Sequence, residues 1–417
     1  MKVLFISQIV PYPPHGGVLQ RGFNLIRELG SRVDLHLVAF NHPDILCSEA
    51  QIAESKRVLS PYCRSITYFE LRTKRSSLYK WAAVIAGVVD RRPFSAIAHE
   101  SVDLEDYIRE LLEKEDIDVI HYDTIGLAHY RKLAPEIPSV LTHHNIESQL
   151  MARRSRNERW PRNFYASLQA KKLLRYESDQ CVKFDANVVV SAIDERVLKE
   201  NVPGLHTVVV PNGVDVDYFR PGTESAGHSV VWAGGMNMFA NSDAVMHFTR
   251  SIWPVIADAQ PDAVFHIVGQ DPPAELVEMA KHDTSLKIHG FVDDVRPIIQ
   301  QASVYVVPIR VGGGTRLKVL DALASGKAIV STSVGCEGID VVDGLNIRIA
   351  DDTRSFASTV LELFSSGTDR QQLGRQARLL AEASYSWRPI AARLVDAYQY
   401  ISKKPAQITL EHRGRSV

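Results

Sequence analysis

The sequence has few of the features that mark several protein classes. Its 417 residues include only four cysteines, and none of these lies at the close spacing of a zinc site or a redox motif. A chain this long can bury a sizeable core without disulfides, so we expect reduced thiols. No GxGxxG motif opens a helix after the first strand, which argues against a dinucleotide-dependent oxidoreductase.

Excess charge of one sign is also lacking. The 48 basic and 49 acidic side chains nearly cancel, so no overall field attracts a nucleic acid, and we expect no nucleic-acid partner. The most apolar internal stretch, 81–89, is far shorter than the roughly 20 residues of a membrane span. The first apolar run is short and leads into Pro11, unlike a signal peptide. These observations predict a cytoplasmic protein.

What the sequence does contain is a repeated alternation of short apolar runs with longer amphipathic segments. This rhythm is typical of βα units around parallel sheets, and the length suits two domains of roughly 200 residues each. The predicted strands are 3–7, 33–40, 119–122, 139–143 and 186–191, then 229–233, 263–268, 286–289, 303–308 and 328–331. The predicted fold is α/β, with two Rossmann-like, doubly wound parallel-sheet domains facing a central cleft.

The predicted boundaries follow from turn signals. A strand running into Pro-Asn-Gly at 211–213 marks a hinge, which separates an acceptor-side domain at 1–210 from a second domain at 211–385. Apolar residues at helical spacing from 387 to 401 predict a helix, within a segment 386–402 that packs back on the first domain. The polar residues 403–417 form a tail.

The most informative segment is 308–326, PIRVGGGTRLKVLDALASG. It predicts a strand end, a glycine-rich loop and a helix capped by Thr315. Unpaired N–H groups at such a helix start bind anions, and Arg316 and Lys318 place two cations where a purely structural helix prefers acids. This predicts an anion site, held also by Gly313 and Gly314; the alternative is a glycine-rich turn with two solvated cations. Asp321 lies near enough to bind a ribose.

This segment resembles the signature of the retaining glycosyltransferases of family four, which have the GT-B fold. Leu320 to Val330 is similar to the family's EAMAxGxPVV, with Asp321 in place of its second Glu, and the resemblance assigns the ribose hydroxyls to Asp321. The motifs PNGVD at 211–215, IVG at 267–269 and HGFVDD at 289–294 look like further family elements in the family's order. The last of these implies that the backbone at Val292 meets the nucleotide base.

The sequence also departs from the family. The first Glu of the signature falls on Gly313, and the family's diphosphate-binding Arg and Lys fall on Gly235 and Asn241, after Gly234. We therefore assign the diphosphate to Arg316 and Lys318, with Gly234 and Gly235 as donor-binding positions. The pattern resembles a subgroup associated with cell-envelope or exopolysaccharide assembly.

Two loops of the first domain complete the predicted site. Gly16 and Gly17 follow the first strand and either let the loop approach the donor phosphates or form an ordinary βα turn. The resemblance places His144 against the donor sugar as the active-site histidine. His143 is expected to point the other way, because adjacent residues on a strand face opposite sides. Glu147 either caps the next helix or faces the acceptor.

Two basic segments contain interleaved aromatic residues, 153–175 and 72–80. They suit either a solvated helical face or contact with an anionic membrane surface beside a lipid-linked acceptor, at the inner face of the cell membrane.

The resemblance therefore implies a retaining hexosyltransferase-like enzyme that moves a sugar from a nucleotide diphosphate sugar to a glycan or lipid-linked acceptor. We expect no cofactor and no metal: Asp215 and Asp217 imitate a metal-binding DxD, but their place after the hinge favours capping. Two alternatives remain open, a nucleotide-sugar epimerase of the same fold and a catalytically silent GT-B scaffold protein.

Overall fold

The computed structural model of the chain describes residues 1–14, 16–71, 77–223, 227–311 and 316–403. The chain folds into two compact units. The first unit comprises residues 1–211 together with residues from 391 onwards, and the second comprises Asn212–Ile390. Residues 313–315, and most of the basic segment 72–80, lie outside the described part.

The first unit is built on a parallel sheet with strand order β3-β2-β1-β4-β5-β6-β7. Its strands are β1 (Lys2–Ser7), β2 (Asp34–Asn41), β3 (Ser65–Glu70), β4 (Val119–Tyr122), β5 (Ser139–His143), β6 (Ala186–Val189) and β7 (Thr207–Val209). The chain order reverses outward from β1 and β4, so this is a doubly wound sheet whose ligand-binding edge is the carboxyl end of the strands.

Helices cover this sheet, so its central strands are buried on both faces. They are α1 (Gly17–Leu29), α2 (Glu49–Leu59), α3 (Ser77–Val89), α4 (Phe94–Ala98), α5 (Val102–Lys114), α6 (Glu147–Asn157), α7 (Arg162–Cys181) and α8 (Ala192–Asn201). A 3₁₀ segment, Ile125–Leu133, follows β4. The core beneath them contains Leu4, Ile120, Leu141 and Val189, all fully buried.

The second unit repeats the plan with strand order β10-β9-β8-β11-β12-β13, again all parallel. Its strands are β8 (Ser229–Ala233), β9 (Val264–Val268), β10 (Leu286–Gly290), β11 (Val304–Val307), β12 (Ala328–Ser331) and β13 (Arg348–Ile349). Its helices are α9 (Phe239–His247), α10 (Trp253–Ala259), α11 (Ala274–His282), α12 (Arg296–Gln301), α13 (Leu317–Ala324), α14 (Thr353–Ser365) and α15 (Gly367–Leu380).

Alternate residues of the central strands of the second unit belong to different cores. Val304 and Val306 of β11 lie in one apolar cluster, whereas Tyr305 and Val307 lie in another. Because successive side chains of a strand point to opposite faces, each face of the sheet has its own helical layer. The predicted fold class of two Rossmann-like parallel-sheet domains is confirmed.

A last helix, α16 (Trp387–Ser402), confirms the helix predicted from its apolar spacing and links the two units. Its first turn belongs to the second unit, where the ring of Trp387 packs so closely on Gly213 that a side chain there would overlap it. Its later turns belong to the first unit, where the Tyr398 hydroxyl lies 2.7 Å from Nδ1 of His121. Within the described ranges, no helix combines the length and apolarity needed to cross a membrane.

The strands missing from the prediction are β3 and β13, and both lie at a sheet edge. The strand predicted to run into Pro-Asn-Gly is β7. β13 has only two residues. β3 is half-buried along nearly its whole length, so it lacks the unbroken apolar run that marked the central strands.

Candidate functional site

In the second unit, backbone hydrogen bonds join the loops that follow β8 and β9. The Gly234 amide donates to the Val268 carbonyl at 2.9 Å, and the Met236 amide donates to the Gln270 carbonyl at 2.9 Å. At Gly269, which has a φ of +146°, a Cβ atom would overlap the Gly234 carbonyl. Glycine is therefore required for these loops to close on each other.

The closed loops form a seat for the ammonium group of Lys318. Its Nζ donates to the Asn241 side-chain oxygen at 2.8 Å and lies 4.4 Å from the centre of the Trp232 ring, in a cation–π contact. The Asn241 amide in turn donates to the Gly235 carbonyl at 2.7 Å. A Cβ atom at Gly234 would overlap this ammonium, so that glycine leaves the space Lys318 occupies.

This arrangement gives a physical reason for one departure noted in the sequence. Asn241 stands where the family has a lysine, and its oxygen holds Lys318, which approaches from α13. The positive charge is thus supplied by Lys318 of α13, and the side-chain amide of Asn241 orients it. Asn241 was singled out in the sequence only for the charge it lacks, and its partner could be found only from the fold.

Burial controls the ionisation of the site. Burial, together with the nearby charge of Arg316, lowers the pKa of Lys318 to about 7. Burial also raises the pKa of Asp321 to about 7, although Lys318 acts in the opposite direction. Among the described residues Asp321 Oδ1 is buried without a hydrogen-bond partner. A buried carboxylate oxygen without a partner suits a ligand hydroxyl.

These groups lie on α13. The helix begins at Leu317, with Arg316 at the N-cap position and no acidic residue in the first turn. Gly313, Gly314 and Thr315, predicted as donor-binding, lie outside the described residues.

Two other positions of this unit bear on the site. Arg310, just after β11, pairs with Asp243 of α9 at 2.7 Å, which adds a further cation that sequence reasoning missed. Val292, after β10, packs its side chain against the core, so only its backbone is available to the predicted base contact.

In the first unit, His144 faces a buried carboxylate. Its Nε2 lies 3.2 Å from Oδ1 of Asp123, which directly follows β4. Burial opposes ionisation of Asp123, but the neighbouring His144, His121 and Arg21 outweigh it and lower the pKa of this carboxyl. Asp123 was missed in the sequence, although an acid directly after a buried strand was a usable signal.

Further polar groups fix Asp123 and its neighbours. The Ser7 hydroxyl, at the end of β1, lies 3.2 Å from the other oxygen of Asp123. His121 lies between the hydroxyls of Tyr398 and Thr142, at 2.7 Å and 3.0 Å, and burial lowers its pKa to about 3. The carboxyl end of this sheet therefore holds a rigid, hydrogen-bonded anion beside His144.

His143 points away from that group. It is buried, its Nε2 lies 3.1 Å from the Asn187 side-chain oxygen, and burial lowers its pKa to about 4. Glu147 does not cap α6, whose N-cap position is Ile146, but accepts a hydrogen bond from Thr124 at 3.1 Å.

Gly16 and Gly17 open α1 directly after the loop that follows β1. Gly16 has a φ of +90°, a conformation that glycine adopts without strain, and apart from its chain neighbours no atom of the described residues lies within 4 Å of where its Cβ would be. The backbone at this helix start is therefore open to a ligand. Arg21, one turn further on, is buried and donates to the carbonyls of Val210 and Pro211.

Asp215 and Asp217 form a local turn. Oδ1 of Asp215 accepts from the backbone amides of Asp217 and Tyr218 at 3.0 Å and 2.9 Å, as a cap does. Asp217 is exposed and pairs with Arg220. In the described part of the chain no three His, Cys, Asp or Glu side chains gather as a metal site would need.

Two family models match this chain in succession. Residues 15–218 match the model described as Glycosyltransferase Family 4, and residues 227–366 match the model described as Glycosyl transferases group 1. The two-unit fold is that of the GT-B enzymes. The first half of the chain therefore matches family four and the second half matches group 1, and together the two models identify the chain as a glycosyltransferase.

Individual relatives agree with this. An uncharacterised 44.6 kDa protein in the cps region of Klebsiella pneumoniae is 20% identical over 413 residues, covering 92% of this chain and 96% of the relative. A phosphatidyl-myo-inositol mannosyltransferase of Mycolicibacterium smegmatis is 26% identical over 53% of this chain and 58% of its own length.

Solved structures share the fold. A sucrose-phosphate synthase from Thermosynechococcus elongatus superposes with a TM-score of 0.67 at 16% identity, covering 96% of this chain and 99% of the other. HepE from Anabaena, solved in complex with UDP, has a TM-score of 0.64 at 13% identity, with 96% and 100% coverage.

Proposed function

We propose that this glycosyltransferase transfers a sugar, with retention of anomeric configuration, from a nucleotide diphosphate donor to a glycan or lipid-linked glycan. The observation that carries the proposal is the seat of Lys318 in the second unit. There a glycine-lined loop, two cations at a helix start and a carboxylate oxygen that is buried without a partner among the described residues lie within one short stretch of structure.

The chemistry of this seat suits a nucleoside diphosphate. Arg316 and Lys318 supply the positive charge for the diphosphate, and the start of α13 adds the positive end of a helix dipole. Asp321, three residues after Lys318, supplies an acceptor for ribose hydroxyls. HepE, which shares the fold, has been solved with UDP and with UDP-glucose, which supports a donor of this class.

The acceptor class is proposed from what related proteins are named for or have been solved with. A mutant of S. aureus TarM, another protein of this fold, has been solved with fondaparinux, α-GlcNAc-glycerol and UDP. The mycobacterial relative is named for a phosphatidyl-inositol substrate. The epimerase and the silent scaffold are not favoured by these comparisons.

In the proposed reaction the bond from the anomeric carbon to the diphosphate oxygen breaks, and a bond to the acceptor oxygen forms on the same face. The proton of the acceptor hydroxyl passes to the departing phosphate. Arg316 and Lys318 stabilise the charge that grows on the diphosphate, a role that a metal would otherwise have. His144, held beside Asp123, contacts the donor sugar. We propose no protein nucleophile.

The test has two parts. A panel of nucleotide sugars is screened for thermal stabilisation, since a ligand of the folded state raises the melting midpoint, and the binders are then assayed for transfer. Arg316→Ala and Lys318→Ala should each weaken nucleoside diphosphate binding at least about tenfold, because a charge-assisted contact is worth roughly 1.5–3 kcal/mol. Lys281→Ala, an exposed lysine of α11, is the matched control. Unchanged affinity in both site variants would refute the donor site.

A further inference from the structure

The helix α3 of the first unit has its large apolar side chains on the outside. Leu78, Trp81, Ile85 and Val89 recur at helical spacing, and each is between 62% and 80% exposed. We call these four side chains the apolar stripe. An ordinary surface helix buries such a stripe against the core.

The opposite side of α3 faces the protein and carries small residues. Ala83 and Gly87 are buried, and a Cβ atom at Gly87 would lie 3.1 Å from the Tyr165 hydroxyl. Gln169 and Lys172 of α7 donate to the Gly87 carbonyl at 2.9 Å and 2.7 Å. The helix is therefore fixed in this orientation by α7, and its stripe is held outward.

A second exposed apolar feature lies on the neighbouring hairpin of α6 and α7. At its turn Trp160 is 80% exposed and Phe164 is 65% exposed, with Arg159 and Arg162 exposed beside them. We call these four residues the hairpin tip. It is adjacent to α3, because Tyr165, next to Phe164, is the residue that reaches Gly87.

The charge around these features is positive. Between 153 and 175 the sequence carries eight lysines and arginines against one acid, Glu158, although the whole chain is nearly neutral. Exposed apolar side chains of this size mark an interaction surface. Cations surrounding them, with aromatic rings at the tip, are what an anionic lipid headgroup layer attracts.

We propose that the apolar stripe and the hairpin tip dock this enzyme on an anionic lipid bilayer, with α3 lying in the plane of the headgroups. At about 1.5 Å per residue, thirteen residues extend about 20 Å, which suits a helix lying along the interface. A second copy of the chain is a less suitable partner for this surface. A two-fold dimer through this surface would enclose the cations of both tips in one interface.

The distribution of tryptophan allows intrinsic fluorescence to report on this surface. Of the five tryptophans, Trp81 and Trp160 are exposed and lie on the proposed surface, whereas Trp232, Trp253 and Trp387 are at most 1% exposed. A blue shift of intrinsic fluorescence on adding vesicles therefore reports on Trp81 and Trp160. Trp81→Phe and Trp160→Phe should each remove part of it.

The experiment measures flotation of the full chain with vesicles of phosphatidylcholine and phosphatidylglycerol, and with phosphatidylcholine alone. The wild type should bind the anionic vesicles with a blue shift and bind the neutral ones weakly, and added salt should weaken binding. Ile85→Gln with Val89→Gln should lower partitioning about tenfold, because two buried aliphatic side chains are lost. Arg159→Gln with Arg162→Gln should lower the preference for phosphatidylglycerol.

Leu379→Gln is the matched control, since Leu379 is a 56% exposed leucine on α15 of the second unit, and it should partition like the wild type. Melting midpoints should stay unchanged in all these variants, because the altered side chains are exposed. The proposal fails if the wild type ignores both vesicles, binds both equally, or binds as well with Ile85→Gln and Val89→Gln. It also fails if sedimentation shows that the stripe instead pairs two copies. None of these outcomes depends on transfer activity.

Discussion

Lys318 is a cation whose charge depends on its ligand. Because burial and Arg316 lower its pKa to about 7, the free enzyme holds this proton only weakly above neutral pH. A bound diphosphate favours the ammonium form, so binding above pH 7 must draw a proton from solution. Arg316 stays charged throughout, because a guanidinium does not titrate in this range.

We therefore expect the affinity for a nucleoside diphosphate to fall as the pH rises above about 7.5, by up to about tenfold per pH unit, since one proton is taken up. Calorimetry in two buffers with different ionisation heats should count that proton. Lys318→Met should bind more weakly and show a shallower slope, because of the two groups with a pKa of about 7 only Asp321 remains. A flat profile in the wild type would contradict the low pKa.

Substitutions of the two adjacent histidines, His143 and His144, are expected to differ in their effects on turnover and stability. His144→Ala should lower turnover by about a hundredfold, a loss typical of one preorganised polar contact, with a smaller effect on the donor dissociation constant. Asp123→Asn keeps the shape of its side chain but removes the charge facing His144, and it should lower turnover in the same direction. Asp123 thus acts as a positioning residue.

His143→Ala is the comparison. It removes a buried partner of Asn187, so we expect a loss of about 1–3 kcal/mol in stability and a lower melting midpoint, with turnover largely kept. Turnover, donor dissociation constant and melting midpoint are measured for all three variants. A larger turnover loss in His143→Ala at unchanged midpoint would mean that the wrong histidine was chosen.

At the scale of elements, the donor seat depends on how closely two loops approach. Gly269→Ala should push the loop after β9 away from the Gly234 carbonyl, which displaces the seat of Lys318. We expect nucleoside diphosphate binding to weaken by tenfold or more, since the contact of Lys318 is lost. Isothermal titration measures the loss of binding, and thermal melts measure any loss of stability.

Gly344→Ala is the matched control for backbone strain. Gly344 also has a positive φ, +74°, but in the described part of the chain no atom beyond its chain neighbours lies within 4 Å of where its Cβ would be. This variant should lose about 1–2 kcal/mol of stability from the left-handed conformation and bind the nucleotide normally. If both variants lose binding equally, strain and not the close approach is responsible.

The central elements were predictable because their signal is physical and local. A mostly apolar run such as Val119–Tyr122 favours burial on both faces, and the observed strand is fully buried and has the predicted bounds. The edge strand Ser65–Glu70 is half-buried, so its pattern did not separate it from loop. Some contacts join residues that are distant in sequence, such as Lys318 with Asn241 or His144 with Asp123. No local pattern indicates such pairs, so they could be identified only from the fold.

For the whole molecule we expect transfer without a divalent metal. The side chains of Asp215 and Asp217 are engaged in capping and in pairing with Arg220, whereas Arg316 and Lys318 supply positive charge for the diphosphate. Transfer should therefore survive treatment with a chelator, assayed with and without added manganese or magnesium. An absolute requirement for either ion would refute this and return attention to Asp215.

The path of α16 also bears on how the protein is made. The second unit is one continuous stretch, Asn212–Ile390, whereas the first unit needs residues from both sides of it. On the ribosome, every residue of the second unit is synthesised before Tyr398, the partner of His121, exists. The unit that begins the chain is therefore the one completed last.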